Sequence, residues 1–369
     1  MTSQDRISSA QMTLLFLFFM TGSSIVIVPA PLTNIAGNGA WISLLMAMAG
    51  GIPLLAGILY IHNRFPNLSL IEQSRLLLGN ALTAALFIPF LCVMFWNVAG
   101  IVIEIGLFFK STMLKETPTY AVNTLLFLTI ALTVMAGIEV MARMAVVLLG
   151  LMFGFIVLIW ILVGPLYHPE YLLPVLPEGI GPVLHAAYVV YGFPFSELTV
   201  FAVILHLVRR QDNNGLGKRL YAALALNAAM LIASVVSSVM VLGPLSGDLK
   251  YSLYQLARLI FIQEIIERIE SVIGFSLIIG FYFKASILLM ILLQTLKGLL
   301  RLENERLIVF PAAFACLLLS LTTYTKEAEM EEIVNITWPL LNTLAYSLPL
   351  LVIFAAALIR RRIRSSGAS

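Results

Sequence analysis

The sequence predicts an all-α membrane protein of about ten transmembrane helices in two inverted five-helix repeats, with helices 1 and 6 broken near mid-membrane. Three observations carry this. Of the 369 residues, 60% are hydrophobic and 11% charged, with a mean hydropathy of +1.00, where an ordinary soluble domain carries about 25% charged residues. Apolar runs of roughly 20 residues, each able to cross a hydrocarbon core about 30 Å thick, recur from Gln11 to Ile359. Proline and glycine clusters interrupt two of these runs at matching places in the two halves.

Dividing the chain where charge, Pro or Gly clusters gives spans at 9–35, 41–63, 80–109, 119–138, 143–166, 183–206, 219–243, 270–296, 307–325 and 338–359. The first run exceeds the apolar region of a secretory signal and leads directly into further spans, so it reads as a retained helix. One integral membrane domain is expected, with a first repeat over about 9–166 and a second over about 183–362. Fifteen of the 22 Lys and Arg fall on the N-terminal side of the membrane, six on the other, and Lys284 within a span. By the positive-inside rule both termini are then cytoplasmic, in a multi-pass inner membrane protein. The tail Arg360-Arg361-Arg362-Ile363-Arg364 reads as a stop signal attracted to anionic lipid.

The net charge of +3 marks cytoplasmic loops rather than a nucleic-acid surface, and no such module is recognisable. There is no Walker loop and no zincin His pair, and His62, His168, His185 and His206 lie on separate segments. Cys92 and Cys316 sit inside apolar runs and read as small buried residues. Neither an enzyme nor a cofactor or metal is therefore expected.

Two connections, 67–78 and 250–266, mix apolar and charged residues as short interfacial helices do. The first reads as a cap on the bundle, the second as a cap or a gate. Arg143 with Glu139, and Arg268 with Glu267 and Glu270, read as interfacial charge networks.

The interrupted runs point to the site. Span 1 contains Thr21-Gly22-Ser23-Ser24-Ile25 followed by Pro29 and Pro31; span 6 contains Tyr191-Gly192-Phe193-Pro194-Phe195-Ser196-Glu197. Proline removes a backbone donor and clashes with the preceding turn, and glycine tolerates the dihedrals left behind. Backbone freed at membrane depth must be satisfied by protein, water or ligand, so such breaks line cavities. Because five is odd, the second half crosses in the opposite sense, and a site between the halves follows.

The candidate ligand-binding residues are Gly22, Ser23, Ser24, Ile25, Tyr191, Gly192, Phe193 and Pro194 at the breaks, with Asn97 in span 3. A half-helix N-terminus at Gly22-Ser23-Ser24 would receive a carboxylate, assisted by hydroxyls; the alternative for the serines is close helix packing. Intramembrane ionisable groups are costly and hence functional candidates: Glu104, Glu197 and Lys284, for coupling or an ion pair. Glu197 suits a ligand contact or proton carrier, or a structural pair with Lys284 that fixes span 6 against span 8. Glu104 reads as functional or as facing an outer aqueous vestibule.

These features resemble the B-subunit family of bacterial spore germinant receptors, within the amino acid/polyamine/organocation transporter superfamily. The resemblance rests on Ile7-Ser8-Ser9-Ala10-Gln11 leading to Gly22-Ser23-Ser24-Ile25 and Pro29; on Leu172 to Ile180 followed by Pro194-Phe195-Ser196-Glu197; and on Glu267-Arg268-Ile269-Glu270-Ser271 running to Phe283-Lys284. It implies a LeuT-like fold and a small-molecule germinant, commonly an amino acid such as alanine, held at the two breaks. It also implies a spore inner-membrane complex with an A subunit and a lipoprotein C subunit. The competing expectations are a proton- or cation-coupled amino acid transporter using the same cavity, and a scaffold whose cavity is vestigial.

Overall fold

The computed structural model describes residues 6–176, 178–260, 269–323 and 336–366, without the side chains of 269–273 and 360–366. The predicted network of Arg268, Glu267 and Glu270 lies outside these descriptions, as do residues 261–266 of the second predicted interfacial helix.

Span 1 comprises α1 (Ser9–Thr21), α2 (Ser24–Ile27) and α3 (Pro29–Ala36), followed by α4 (Ala40–Arg64) and a short α5 (Leu70–Leu78). Next come α6 (Asn80–Thr112), α7 (Thr119–Met135) and α8 (Ile138–Leu162). Span 6 is α9 (Ile180–Val190) continued by irregular turns to Val203. It is followed by α10 (Leu216–Leu242), α11 (Ser252–Arg258), α12 (Ile269–Leu300) and α13 (Val309–Thr322), and by α14 (Trp338–Asn342) with α15 (Leu348–Ser366) in the last span. Among the described residues nine stretches are long and apolar enough to cross a membrane, and Thr119–Met135 is a shorter apolar helix.

Sequence chemistry sets the helix ends. Ser8 caps α1 through a capping box in which Gln11 Oε1 accepts from the Ser8 N–H at 2.9 Å and Ser8 Oγ accepts from the Gln11 N–H at 3.2 Å. Ser69 and Glu72 do the same for α5. Gly137, with φ of 87°, makes the turn into α8, so that helix begins at Ile138, five residues before the predicted boundary. Glu139 and Arg143 then sit on its first turns as one exposed i,i+4 pair at 3.9 Å, a contact of little energetic weight.

The bundle is organised around α12. In the most apolar 18 residues of each stretch, 89% are buried in Gly274–Leu300, against 28% in Ile138–Leu162 and in Glu305–Thr322. The peripheral helices turn Leu125, Leu128, Leu132, Val146, Val147, Ile161 and Phe314 outward, as a lipid solvent permits and water does not. Cys316 is buried, whereas Cys92, expected to be buried, is exposed on the outside of α6. Before α1, Ile7 pairs with the chain after span 6: its N–H donates to Leu207 O at 3.0 Å and its carbonyl accepts from the Arg209 N–H at 2.9 Å.

Helices α1 and α12 cross at two glycines. A Cβ on Gly280 would lie 2.2 Å from Gly22 O, and one on Gly22 2.5 Å from Gly280 O, so the crossing requires glycine on both helices. The predicted cap at 67–78 is α5, which buries Leu70, Ile71, Gln73, Ser74 and Leu77. Arg75 donates to Leu299 O at 2.8 Å and ties α5 to the end of α12.

Candidate functional site

The span 6 break is deep. Phe193 is extended (φ −152°, ψ 116°), the conformation imposed on a residue before proline, and the Phe193–Pro194 bond is cis. The Ser196 N–H bonds back to Tyr191 O, which leaves Gly192 O without its helical donor. Two side chains replace it: Ser196 Oγ at 2.8 Å and Asn342 Nδ2 at 3.3 Å. Gly192 must be glycine, because a Cβ there would lie 2.2 Å from Pro339 Cα.

The span 1 break is shallow by comparison. Gly22 (φ −50°, ψ −50°) and Ser23 (φ −99°, ψ −29°) remain in the right-handed helical region, as does Val28 before Pro29 (φ −69°, ψ −39°). Ser24 Oγ donates to Met20 O at 2.5 Å and lies 3.3 Å from Thr21 O, so its hydroxyl is committed to its own helix. Ser23 Oγ is buried without a partner.

Between the breaks lies a cavity of about 80 Å³, lined by Ser23, Ile27, Val28, Pro31 and Leu32 from span 1 and by Asn97, Gly100, Ile101 and Glu104 of α6. Val189, Val190, Phe193 and Glu197 from span 6 and Trp338 of α14 complete it. This is several times the space one water needs. Five predicted site residues therefore share one lining: Ser23, Asn97, Glu104, Phe193 and Glu197. The others stand behind it. Gly22 forms the α12 crossing, and Ile25 is buried with its carbonyl accepting from Ser234 Oγ at 3.3 Å. Tyr191 packs against Gly50 of α4, and Gly192 and Pro194 are buried in the break.

Asn97 is the polar centre. Its Nδ2 donates to Asn342 Oδ1 at 3.0 Å and to Tyr346 OH at 2.5 Å, while its Oδ1 is buried without a partner. The Trp96 and Trp338 rings meet at a tilt of 59°, with centroids 5.0 Å apart. At the far end of the cavity Glu104 is buried rather than open to a vestibule, with Lys250 Nζ 3.8 Å away and Tyr251 OH donating at 3.4 Å. Tyr251 precedes α11 in the left-handed region (φ 59°), a strained position for a tyrosine, and its ring meets Phe108 edge-on at 5.1 Å. The segment from Lys250 to Arg258 thus covers the Glu104 end.

Glu197 and Lys284 form an ion pair of 2.7 Å, with side chains 3% and 0% exposed. The ammonium also faces the rings of Phe193 at 4.1 Å and Phe19 at 4.8 Å, an arrangement that favours a cation. Lys284 does not line the cavity; it holds Glu197, which does.

The sequence analysis places the last span but assigns none of its residues to the site. Trp338, Asn342 and Tyr346 recur every four residues in an otherwise apolar helix, which places them on one face, and that spacing was the available signal. A second cavity, of about 650 Å³, lies at the end of the bundle that carries Leu207 and is lined by Gly137, Ile138, Gln294, Lys297, Glu305 and Arg306 among others. Lys297 and Glu305 pair in its wall at 2.6 Å.

A mid-membrane cavity between a deeply broken helix and its neighbours defines a multi-pass protein with the LeuT-like fold of membrane receptors and transporters. Solved structures agree. The chain matches MhsT in complex with L-phenylalanine with a TM-score of 0.67 at 14% identity, covering 95% of this chain and 89% of that one. It matches a Na⁺-coupled sialic acid symporter with 0.64 at 12%, covering 94% and 80%, and the manganese transporter of Eremococcus coleocola with 0.61 at 14%, covering 95% and 76%. At these identities the likeness is one of fold.

The chain belongs to the spore germination protein family, whose model matches residues 6–328. A relative, spore germination protein KB of Bacillus subtilis, is 31% identical over 370 residues, 98% of both chains.

Proposed function

We propose that this chain is the germinant-sensing membrane subunit of a spore receptor, binding a small amino acid such as alanine in the central cavity and passing the resulting bias to partner subunits. The reading places it in the spore inner membrane with both termini cytoplasmic, beside an A subunit and a lipoprotein C subunit. Its two repeats would cover about 9–166 and 183–362. Family membership supports the germination role.

The observation that carries the ligand is the pair of unpartnered buried atoms, Ser23 Oγ and Asn97 Oδ1, on residues lining a cavity whose other walls are apolar apart from Glu104 and Glu197. Each unsatisfied buried polar atom costs about 1–3 kcal/mol, and a zwitterion relieves both. The Ser23 hydroxyl donates to its carboxylate, Asn97 Oδ1 accepts from its ammonium, and the aliphatic walls take an apolar side chain. Signalling then requires that the ligand bind one arrangement of the halves more tightly than the other.

The transporter-like fold across 95% of the chain supports a second reading, a proton- or cation-coupled amino acid transporter. Uptake of radiolabelled amino acids, led by alanine, into proteoliposomes with and without a pH gradient separates the two. Thermal stabilisation by the same ligands serves as the binding readout. Stabilisation without flux is expected; concentrative uptake would overturn the pure-sensor reading, and neither signal for any amino acid would overturn the ligand assignment.

Ser23→Ala is the sharper probe of the cavity. Losing one hydrogen bond of ~0.5–1.5 kcal/mol weakens binding roughly two- to tenfold. The unliganded melting temperature should stay level or rise, since the hydroxyl has no partner to lose. Unchanged affinity would remove Ser23 from the ligand site.

A further inference from the structure

The cavity ends on Glu197, at the deepest backbone irregularity in the fold. A lone carboxylate there, 2% exposed among apolar side chains, would be costly. A membrane protein can neutralise such a group with an ion drawn from solution or with a charge of its own. Here the charge is its own. Lys284 Nζ lies 2.7 Å from Glu197 Oε2 and is fully buried. Its other neighbours are the face of Phe19 in α1 and the face of Phe193, the extended residue of the break. One ammonium therefore touches the first half of span 1, the irregular turn of span 6 and the carboxylate that follows it. It is delivered by α12, the most enclosed helix of the bundle.

We propose that Lys284 is a tethered cation, standing where a free monovalent cation would otherwise be needed to join spans 1, 6 and 8. Two consequences follow. The folded state needs no Na⁺ or K⁺, and shortening the side chain while keeping Glu197 turns the vacated space into a site for a small free cation. The aromatic faces that flank the ammonium suit an alkylammonium ion at least as well as an alkali ion.

The test uses the full-length protein in detergent without ligand, so its outcome is independent of what the cavity binds. Melting temperatures are measured at equal ionic strength in NaCl, KCl, ethylammonium chloride and choline chloride. The native protein should melt alike in all four. A saturable rise in Na⁺ or K⁺ over choline would show a free cation site in use and overturn the proposal.

Lys284→Ala should melt lower and be raised, saturably, by ethylammonium or an alkali ion but not by choline. Lys284→Ala with Glu197→Gln should lose that selectivity. If Lys284→Ala folds yet responds to all four salts alike, the tethered-cation reading fails. Should it not fold, Lys284→Arg carries the test in its place: a folded, salt-indifferent protein supports the proposal, and a Na⁺- or K⁺-dependent one overturns it.

Discussion

Lys284→Met is expected to lower stability by about 3–5 kcal/mol, the cost of leaving one member of a buried ion pair unpartnered. Glu197 would remain 2% exposed, next to apolar rings and without the 2.7 Å bond that compensates it. The same principle predicts that Lys284→Met combined with Glu197→Leu recovers most of the loss, since buried pairs replaced by well-packed apolar side chains are often neutral. Thermal unfolding of the three proteins in detergent decides this. Equal damage in the single and double variants would mean that the lysine contributes through its packing alone. The pair would then be conformational ballast rather than an electrostatic unit, and strong coupling in the double-mutant cycle is what distinguishes them.

Alanine at Gly192 or Gly280 should be the most disruptive of the glycine replacements among the described residues. At Gly192 the new atom meets backbone, Pro339 Cα at 2.2 Å, and at Gly280 it meets Gly22 O at 2.2 Å. Backbone cannot rotate aside as a side chain can, so at least the usual overpacking penalty of about 1–3 kcal/mol applies. The first variant separates the span 6 break from the last span, and with it the bond from Asn342 to Gly192 O. The second pushes α1 from α12 and with it Phe19 from Lys284. Controls lie on α8, where a Cβ on Gly150 or Gly154 meets nothing within 4 Å; those replacements should be neutral or mildly stabilising. Melting temperature and monodisperse yield measure all four, and a tolerated Gly192→Ala would contradict the close approach of α14.

Several features were readable before any coordinates. Hydropathy located the spans to within a few residues, because a membrane helix must satisfy its own backbone and present an apolar exterior. Glycine and proline together at 192–194, matched by the cluster in span 1, pointed to a break there, and an ion pair was one of the two roles open to Glu197 with Lys284. The misses have physical causes as well. Charge clustering places the start of span 5 at 143, whereas Gly137 makes the turn and the charges sit on the first turns of the helix. Ser24 looked like a ligand donor because its hydroxyl is free in sequence, but a serine inside a helix can bond its own preceding carbonyls, and this one does.

What the sequence by itself determined is therefore one-dimensional: the apolar lengths, the places where a helix cannot continue, and the polar groups too costly to leave alone at membrane depth. Tertiary structure decided which of those groups share a space. Asn97 and Asn342 are 245 residues apart, yet they meet because α6 and the last span pack together, with Gly192 carrying no Cβ where Pro339 crosses it. Ser23 enters the cavity while its neighbour Ser24 does not, since successive residues on a helix point about 100° apart. Lys284 meets Glu197 because α12 runs through the centre of the bundle. Local propensity carries no information on that placement, which follows only from how all the spans pack at once.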